Sequence, residues 1–412
     1  MIEDYTRRFV ISAAALMVAS RSSLFDGFRS ERRSIRVGHT TAYSGPASAY
    51  GTIGRTEIAF FRMINAKGGI NGRPVDFITY DDAYSPSKTV EHTRRLVELD
   101  KVDLLFHQSG TANIKAISDY VTRRGIPTLF VATGASKWDD PARYPRLMGW
   151  GPSYASEAAT YARHALATVP GARIGLLYQN DDFGRDYLSG VREVLGPGAA
   201  ARLAAVSYAV TDATIDGAIS SLKASGANVL IIAATPKFAA QAIRRTYELG
   251  WRARRYLSAV STSLAEVLRP AGLEAARGLI SAHSLKDPSD KAWARSPDLI
   301  AYRRFMAEWN PGGDPESAFN VIGYAAASSL VAVLSRCGDD FSAENIMART
   351  ESLRDVEIPM LLPGVRMTIS PTDHAPISST RMMRFDGAHW ELFGGLVDSA
   401  APSRGAPSEH AQ

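Results

Sequence analysis

From Ile35 onward, short apolar runs alternate with stretches in which apolar residues recur every three or four positions. Residues 75–80, 102–106 and 128–131 read as strands, with amphipathic helices between them around 87–99 and 111–123. A second series follows: strand 173–178, helix 184–195, strand 203–208, helix 214–224, strand 229–233 and helix 238–249. Such alternation indicates parallel sheets covered on both faces, and two series imply two doubly wound α/β lobes. A Gly-Pro break within Trp150-Gly151-Pro152-Ser153 marks the first crossing between them. After Ile280 long helices dominate, at 299–309, 318–335 and 344–350. Near the end, residues 381–385 and 390–393 flank Asp386-Gly387, which predicts a β-hairpin whose turn needs positive φ.

The 412 residues suffice for two domains with sizeable cores, and 45% hydrophobic with 22% charged residues is ordinary for a soluble protein. Net charge is +5, and Lys and Arg cluster no further than pairs such as Arg244-Arg245 and Arg254-Arg255. Nucleic acid is therefore not an expected partner. The single cysteine, Cys337, excludes an internal disulfide and reads as a buried packing residue.

At the N-terminus, Arg7 and Arg8 precede an apolar run over residues 9–19, too short to anchor in a bilayer. This predicts a cleaved export signal and linker over residues 1–34, with a hint of twin-arginine export. No cysteine follows the run to carry a lipid, so the expected product is a soluble, monomeric, periplasmic protein. The tail, 399–412, is expected to be disordered.

Catalytic motifs are absent. There is no nucleophile elbow, phosphate loop, dinucleotide fingerprint or metal-ligand spacing, so neither enzymatic activity nor a cofactor or metal is expected. Asp81-Asp82 and Asp181-Asp182 follow strands, but adjacent residues on extended chain diverge. Turn formation or helix capping is the role they suggest. The loops after two strands instead suit a small polar ligand. His107-Gln108-Ser109-Gly110-Thr111 leads into a helix, and Ala132-Thr133-Gly134 follows Val131. Hydroxyls and free N–H groups at a helix start can hold a carboxylate without a positive side chain.

The opening strand and loop at residues 35–72, with its Gly-Gly-Ile-Asn-Gly turn, resembles the start of periplasmic solute-binding proteins of the branched-chain amino-acid type. The likeness continues through residues 76–106, 124–138, 173–196, 235–251 and 361–394. It implies two Rossmann-like lobes joined by a hinge of three crossings, with a ligand clamped between them. The expected lobes are 35–152 with 282–360, and 153–281 with 361–398. The implied role is solute capture for the membrane permease of an ABC importer. Ligand sensing on the same fold, as in amide sensors and receptor domains, is the alternative.

Position by position, the resemblance implies that Ser109 accompanies a ligand carboxylate. Thr111 opens the helix beside it, and Ala132 and Thr133 supply a carbonyl and a hydroxyl. Tyr50 and Phe183 pack on the ligand from the two lobes. Thr235 stands at a further contact position, with Lys237 as a lesser candidate, and Ser261 lies in the loop after the next strand. Amino-acid binders of this type place an acid in that loop to meet the ligand's ammonium. Here residues 255–263 contain none, and Glu266 falls in the next helix. A buried ammonium without a carboxylate is costly. The expectation is therefore a small organic acid without an amino group, aromatic or otherwise, unless Asp181, Asp182 or Glu266 substitutes.

Overall fold

The computed structural model describes residues 33–398. Apart from residues 33 and 34, the expected export segment lies outside these residues, as does the expected tail.

The first sheet comprises β1 (Ile35–Thr41), β2 (Val75–Asp81), β3 (Leu104–Phe106), β4 (Thr128–Val131) and β5 (Leu147–Gly149), in the order β2-β1-β3-β4-β5. All neighbours are parallel, and β1 is central enough for Val37 to pair with both Phe77 and Leu104. Helix α1 (Gly51–Ala66) covers one face, while α2 (Pro86–Glu98) and α3 (Thr111–Arg124) cover the other. Each helix turns its apolar stripe inward. Phe60 and Phe61 of α1 and Ile114, Ile117 and Val121 of α3 are buried, each contributing roughly 1.5–3 kcal/mol.

The second sheet is built from β6 (Ile174–Gln179), β7 (Leu203–Tyr208), β8 (Val229–Ala233), β9 (Arg254–Leu257), β10 (Ile280–His283), β11 (Ser379–Phe385) and β12 (Trp390–Asp398). Its order is β12-β11-β10-β9-β8-β6-β7. The parallel part, β7-β6-β8-β9-β10, repeats the first sheet's winding, and the β11–β12 hairpin adds to it antiparallel. On one face lie α4 (Tyr154–Thr168) and α5 (Asp182–Leu195), and on the other α6 (Asp216–Ala224) and α7 (Pro236–Glu248). Helices α4 and α5 approach so closely that a Cβ on Gly190 would lie 2.1 Å from the Ala155 carbonyl oxygen.

Helices α8 (Pro297–Trp309), α9 (Ala318–Leu334) and α10 (Ala343–Glu351) return to the first sheet and share its main core. Leu361, Leu362, Val365, Met367, Ile369 and Ile377 join the same core. Residues 361–377 were expected in the second lobe, but they pack with the first. Their apolar side chains belong to that core, and the chain enters the second sheet again with β11, from Ser379. Cys337 is a free thiol buried in that core, as expected for a packing residue. The short strands β5 and β10 were not among the elements read from the sequence. Among the described residues no helix is long and apolar enough to cross a membrane.

Candidate ligand-binding site

In open parallel sheets, side chains after the carboxyl ends of the strands meet in a crevice where the winding reverses. Here the reversals fall between β1 and β3 in one lobe and between β6 and β8 in the other. A cavity of about 160 Å³ lies there, lined by residues that follow β3, β4, β5, β6, β8, β9 and β10.

On the first-lobe wall, Ser109 Oγ lies 2.8 Å from Thr41 Oγ1, and the Thr111 and Thr133 hydroxyls are 2.6 Å apart. Gly110 opens α3 with φ of +97°, and a Cβ there would meet the Tyr84 ring at 2.8 Å. This turn brings the first-turn N–H groups of α3, which have no intrahelical acceptors, to the cavity wall. Ala132 pairs with Ser109 across the strand ends, its N–H donating to the Gln108 carbonyl at 2.9 Å. Aromatic groups supply most of the remaining bulk. Tyr50 packs on Phe319 at 5.5 Å, its hydroxyl 3.4 Å from the Val260 carbonyl of the opposite lobe. Phe183 packs on Tyr154 at 4.7 Å. The N–H of Thr235 donates to the Tyr208 hydroxyl at 3.0 Å, at the start of α7.

Tyr50, Ser109, Thr111, Ala132, Thr133, Phe183 and Thr235 thus line one cavity. Ser261 does not. It is fully buried, its hydroxyl donating to the Ala234 carbonyl at 2.6 Å, because the turn at Ala259–Ser261 presents Ala259 and Val260 to the cavity instead. Lys237 is exposed and points toward the Asp212 carbonyl. Asp181 caps α5 by accepting from the Gly184 N–H, and Glu266 accepts from the Ser263 and Ser317 hydroxyls. Asp82 accepts from the Tyr84 N–H and the Thr89 hydroxyl, the local role expected for it.

Several lining residues escaped the sequence reading, among them Tyr84, Trp150, Tyr154, His283 and Glu157. Glu157 is 6% exposed, and its Oε1 accepts from the Tyr161 hydroxyl at 2.6 Å and the Ala259 N–H at 2.8 Å. Burial pushes its carboxyl up to about 7, against the hydrogen bonds from Tyr161, Tyr187 and Ala259. It stands in the first turn of α4, where an acid is a common dipole partner. His107 contacts buried Glu57 through Nδ1, and His39 Nε2 lies 3.4 Å from the same carboxylate. Burial raises Glu57 to about 8 and lowers His107 to about 3, so near neutrality the proton rests on the acid and the imidazoles are neutral. His283 Nδ1 accepts from the Leu285 N–H at 3.1 Å, which leaves the proton of the neutral ring on Nε2.

No Lys or Arg lines the cavity among the described residues. Ionic groups stand instead at its rim, where Asp182 meets Lys137 and Lys115 of the other lobe at 2.7 and 3.0 Å. The arrangement can bind and enclose a small molecule with an apolar body and a polar end.

Comparison with known proteins agrees with this architecture. The periplasmic binding protein family matches residues 34–389. The leucine-specific-binding protein of Salmonella typhimurium is 26% identical over 194 residues, which cover 46% of this chain and 49% of that protein. The chain thus spans about half the length of the curated relatives it matches. A substrate-binding periplasmic protein from Ralstonia solanacearum superposes with a TM-score of 0.77 at 25% identity, covering 87% of this chain and all (100%) of that one. A branched-chain amino acid ABC transporter protein from Thermus thermophilus, with bound valine, shares the fold at a TM-score of 0.80 and 16% identity, covering 90% and 97%. The chain belongs to the periplasmic binding protein family, a family of binding proteins and not of enzymes.

Proposed function

We propose that this protein is the extracytoplasmic solute-binding component of an ABC importer, closing on a small carboxylate-bearing solute with an apolar or aromatic body. The observation that carries this reading is the first-lobe wall. There the hydroxyls of Ser109, Thr111 and Thr133 stand beside the N-terminus of α3, with no cation among the lining residues. A helix N-terminus and oriented hydroxyls favour an anion where a buried lysine would need its own compensation. The N-termini of α5 and α7 reach the same cavity through Phe183 and Thr235, adding to that bias. Tyr50, Phe183, Trp150 and Phe319 would surround the apolar part.

Closure requires a ligand that prefers the closed state, so affinity reports that preference. The closed form would be what a membrane permease recognises. That the relatives named above include a leucine-binding and a valine-bound protein supports an amino acid or a closely related acid. A thermal-shift screen of the mature protein against branched-chain amino acids and aromatic acids tests the reading, since a bound solute raises the melting temperature by mass action. Stabilisation by amines or sugars, but by no carboxylate, would sink it.

A further inference from the structure

We propose that the hinge side of the cavity is a second subsite, which takes an uncharged hydrogen-bonding group, a hydroxyl or a carbonyl, at the end of the solute remote from its carboxylate. The inference rests on the carboxylate-binding reading above. It narrows the solute to an acid with an apolar middle and two polar ends.

The chain passes between the lobes after β5, after β10 and before β11, and all three passages line the cavity, through Trp150, Ser284 and Thr380 among others. The Ser284 hydroxyl donates to the Ser379 carbonyl at 2.9 Å, which ties the second passage to the third. Two imidazoles stand beside this floor. His283 closes β10, and His107 meets the Trp150 ring edge-on at 5.9 Å. His283 Nδ1 takes the Leu285 N–H, and His107 Nδ1 faces the Glu57 carboxyl. In each ring Nε2 has no hydrogen-bond partner among the described residues. Thr380 is 5% exposed, and its hydroxyl has none there either.

The first-lobe wall differs, because its hydroxyls already pair, Ser109 with Thr41 and Thr111 with Thr133. The unused hydrogen-bonding capacity of the cavity therefore lies on the hinge side. Burial pushes His283 down to about 4 and His107 down to about 3, so both rings are neutral near pH 7 and each offers an N–H. Leaving such donors buried and unpaired is costly, and an acceptor on the solute relieves that cost. A second carboxylate does not suit the place. No Lys or Arg lines the cavity among the described residues, and two buried anions without a cation are unfavourable. Much of the remaining lining is apolar or aromatic, including Tyr50, Ile53, Phe319 and Ile322. A cavity of about 160 Å³ is close to the roughly 150 Å³ that encloses one benzene ring. A hydroxylated aromatic acid meets all of these conditions.

Matched pairs of increasing length test this: benzoate, phenylacetate, 3-phenylpropanoate and phenylalanine, each against its 4-hydroxy counterpart, titrated calorimetrically. The wild type is expected to bind the hydroxylated member of at least one pair about tenfold or more tighter. Thr380→Val keeps the shape of the side chain without its hydroxyl. His283→Asn keeps an acceptor for the Leu285 N–H without the Nε2 donor. At least one of the two should cut the hydroxyl preference by about fivefold or more and leave the parent acid within about threefold. Retention of the full preference in both folded variants overturns the proposal. Should neither variant fold, the wild-type pairs decide alone. Equal or tighter binding of the parent acid in every pair overturns it too, while leaving carboxylate capture standing. Tighter binding of terephthalate than of 4-hydroxybenzoate also overturns it, since the far end would then take a second anion. If no member of any pair binds, the carboxylate reading falls and takes this inference with it.

Discussion

Lys137 of the first lobe holds its ammonium nitrogen 2.7 Å from the carboxylate of Asp182, the first residue of α5 in the second lobe. Lys115 joins the same carboxylate at 3.0 Å, and the Ser136 N–H donates to Asp186 at 2.8 Å. On another side, Arg269 meets Asp314 and Glu316 at 2.6 Å each. These contacts span the two lobes, so any opening of the cleft that separates these partners would break them.

Removing the Asp182 charge should therefore loosen closure. Both partners are partly exposed, which limits each pair to about 0.2–1 kcal/mol, and Asp182→Asn should weaken solute affinity about two- to fivefold in low salt. The loss should shrink as salt is raised. Against the partial burial that would raise it, hydrogen bonds from Lys137, Arg185 and Lys115 hold the Asp182 carboxyl well below the usual range. Its contribution is thus present above that range and disappears as strong acid reaches the lowered value. An unchanged affinity at low ionic strength would remove this ion pair from the closing mechanism.

Ser109→Ala should weaken solute binding by about 1–3 kcal/mol if the hydroxyl meets a buried carboxylate. Thr41 would lose its partner in the same change, so urea unfolding must accompany the titration to separate stability from affinity. Binding equal to wild type would take Ser109 out of the site.

Glu57 sits fully buried between two imidazoles, and burial raises its carboxyl from 4.5 to about 8 despite the opposing influence of His39. A raised acid is favoured in its protonated form, so its contribution is full below pH 4.5 and fades as pH climbs through about 8. Glu57→Gln keeps a polar partner for His107 without the charge. It should flatten the loss of stability between pH 4.5 and about 8, by an amount on the order of 4 kcal/mol. Thermal melts across that range giving parallel curves for variant and wild type would contradict this.

Gly190→Ala tests the contact between α4 and α5. The added methyl would sit 2.1 Å from a backbone oxygen, which no side-chain rotation relieves. Overpacking of this kind costs about 1–3 kcal/mol, to be read from denaturant midpoints. A neutral result would mean that the two helices slide apart freely.

The alternation of apolar runs with amphipathic stretches was enough to outline both lobes, since period and burial are written locally. Strand 229–233 and helix 318–334 emerge almost residue for residue, because long apolar or periodic segments leave little choice. The hydroxyl-rich loop at Ser109 was legible for a related reason: a loop between a strand and a helix start has a recognisable composition. Tertiary structure alone decided what meets what. Glu157 was not singled out in the sequence, and its place at the cavity follows from α4 packing beside the loop after β9, 102 positions further along the chain. Ser261 resembled a ligand contact until its turn aimed the hydroxyl at Ala234. Residues 361–377 fell to the first lobe because a core accepts whichever apolar segment fills its volume, and that fit is a property of three-dimensional packing rather than of local pattern.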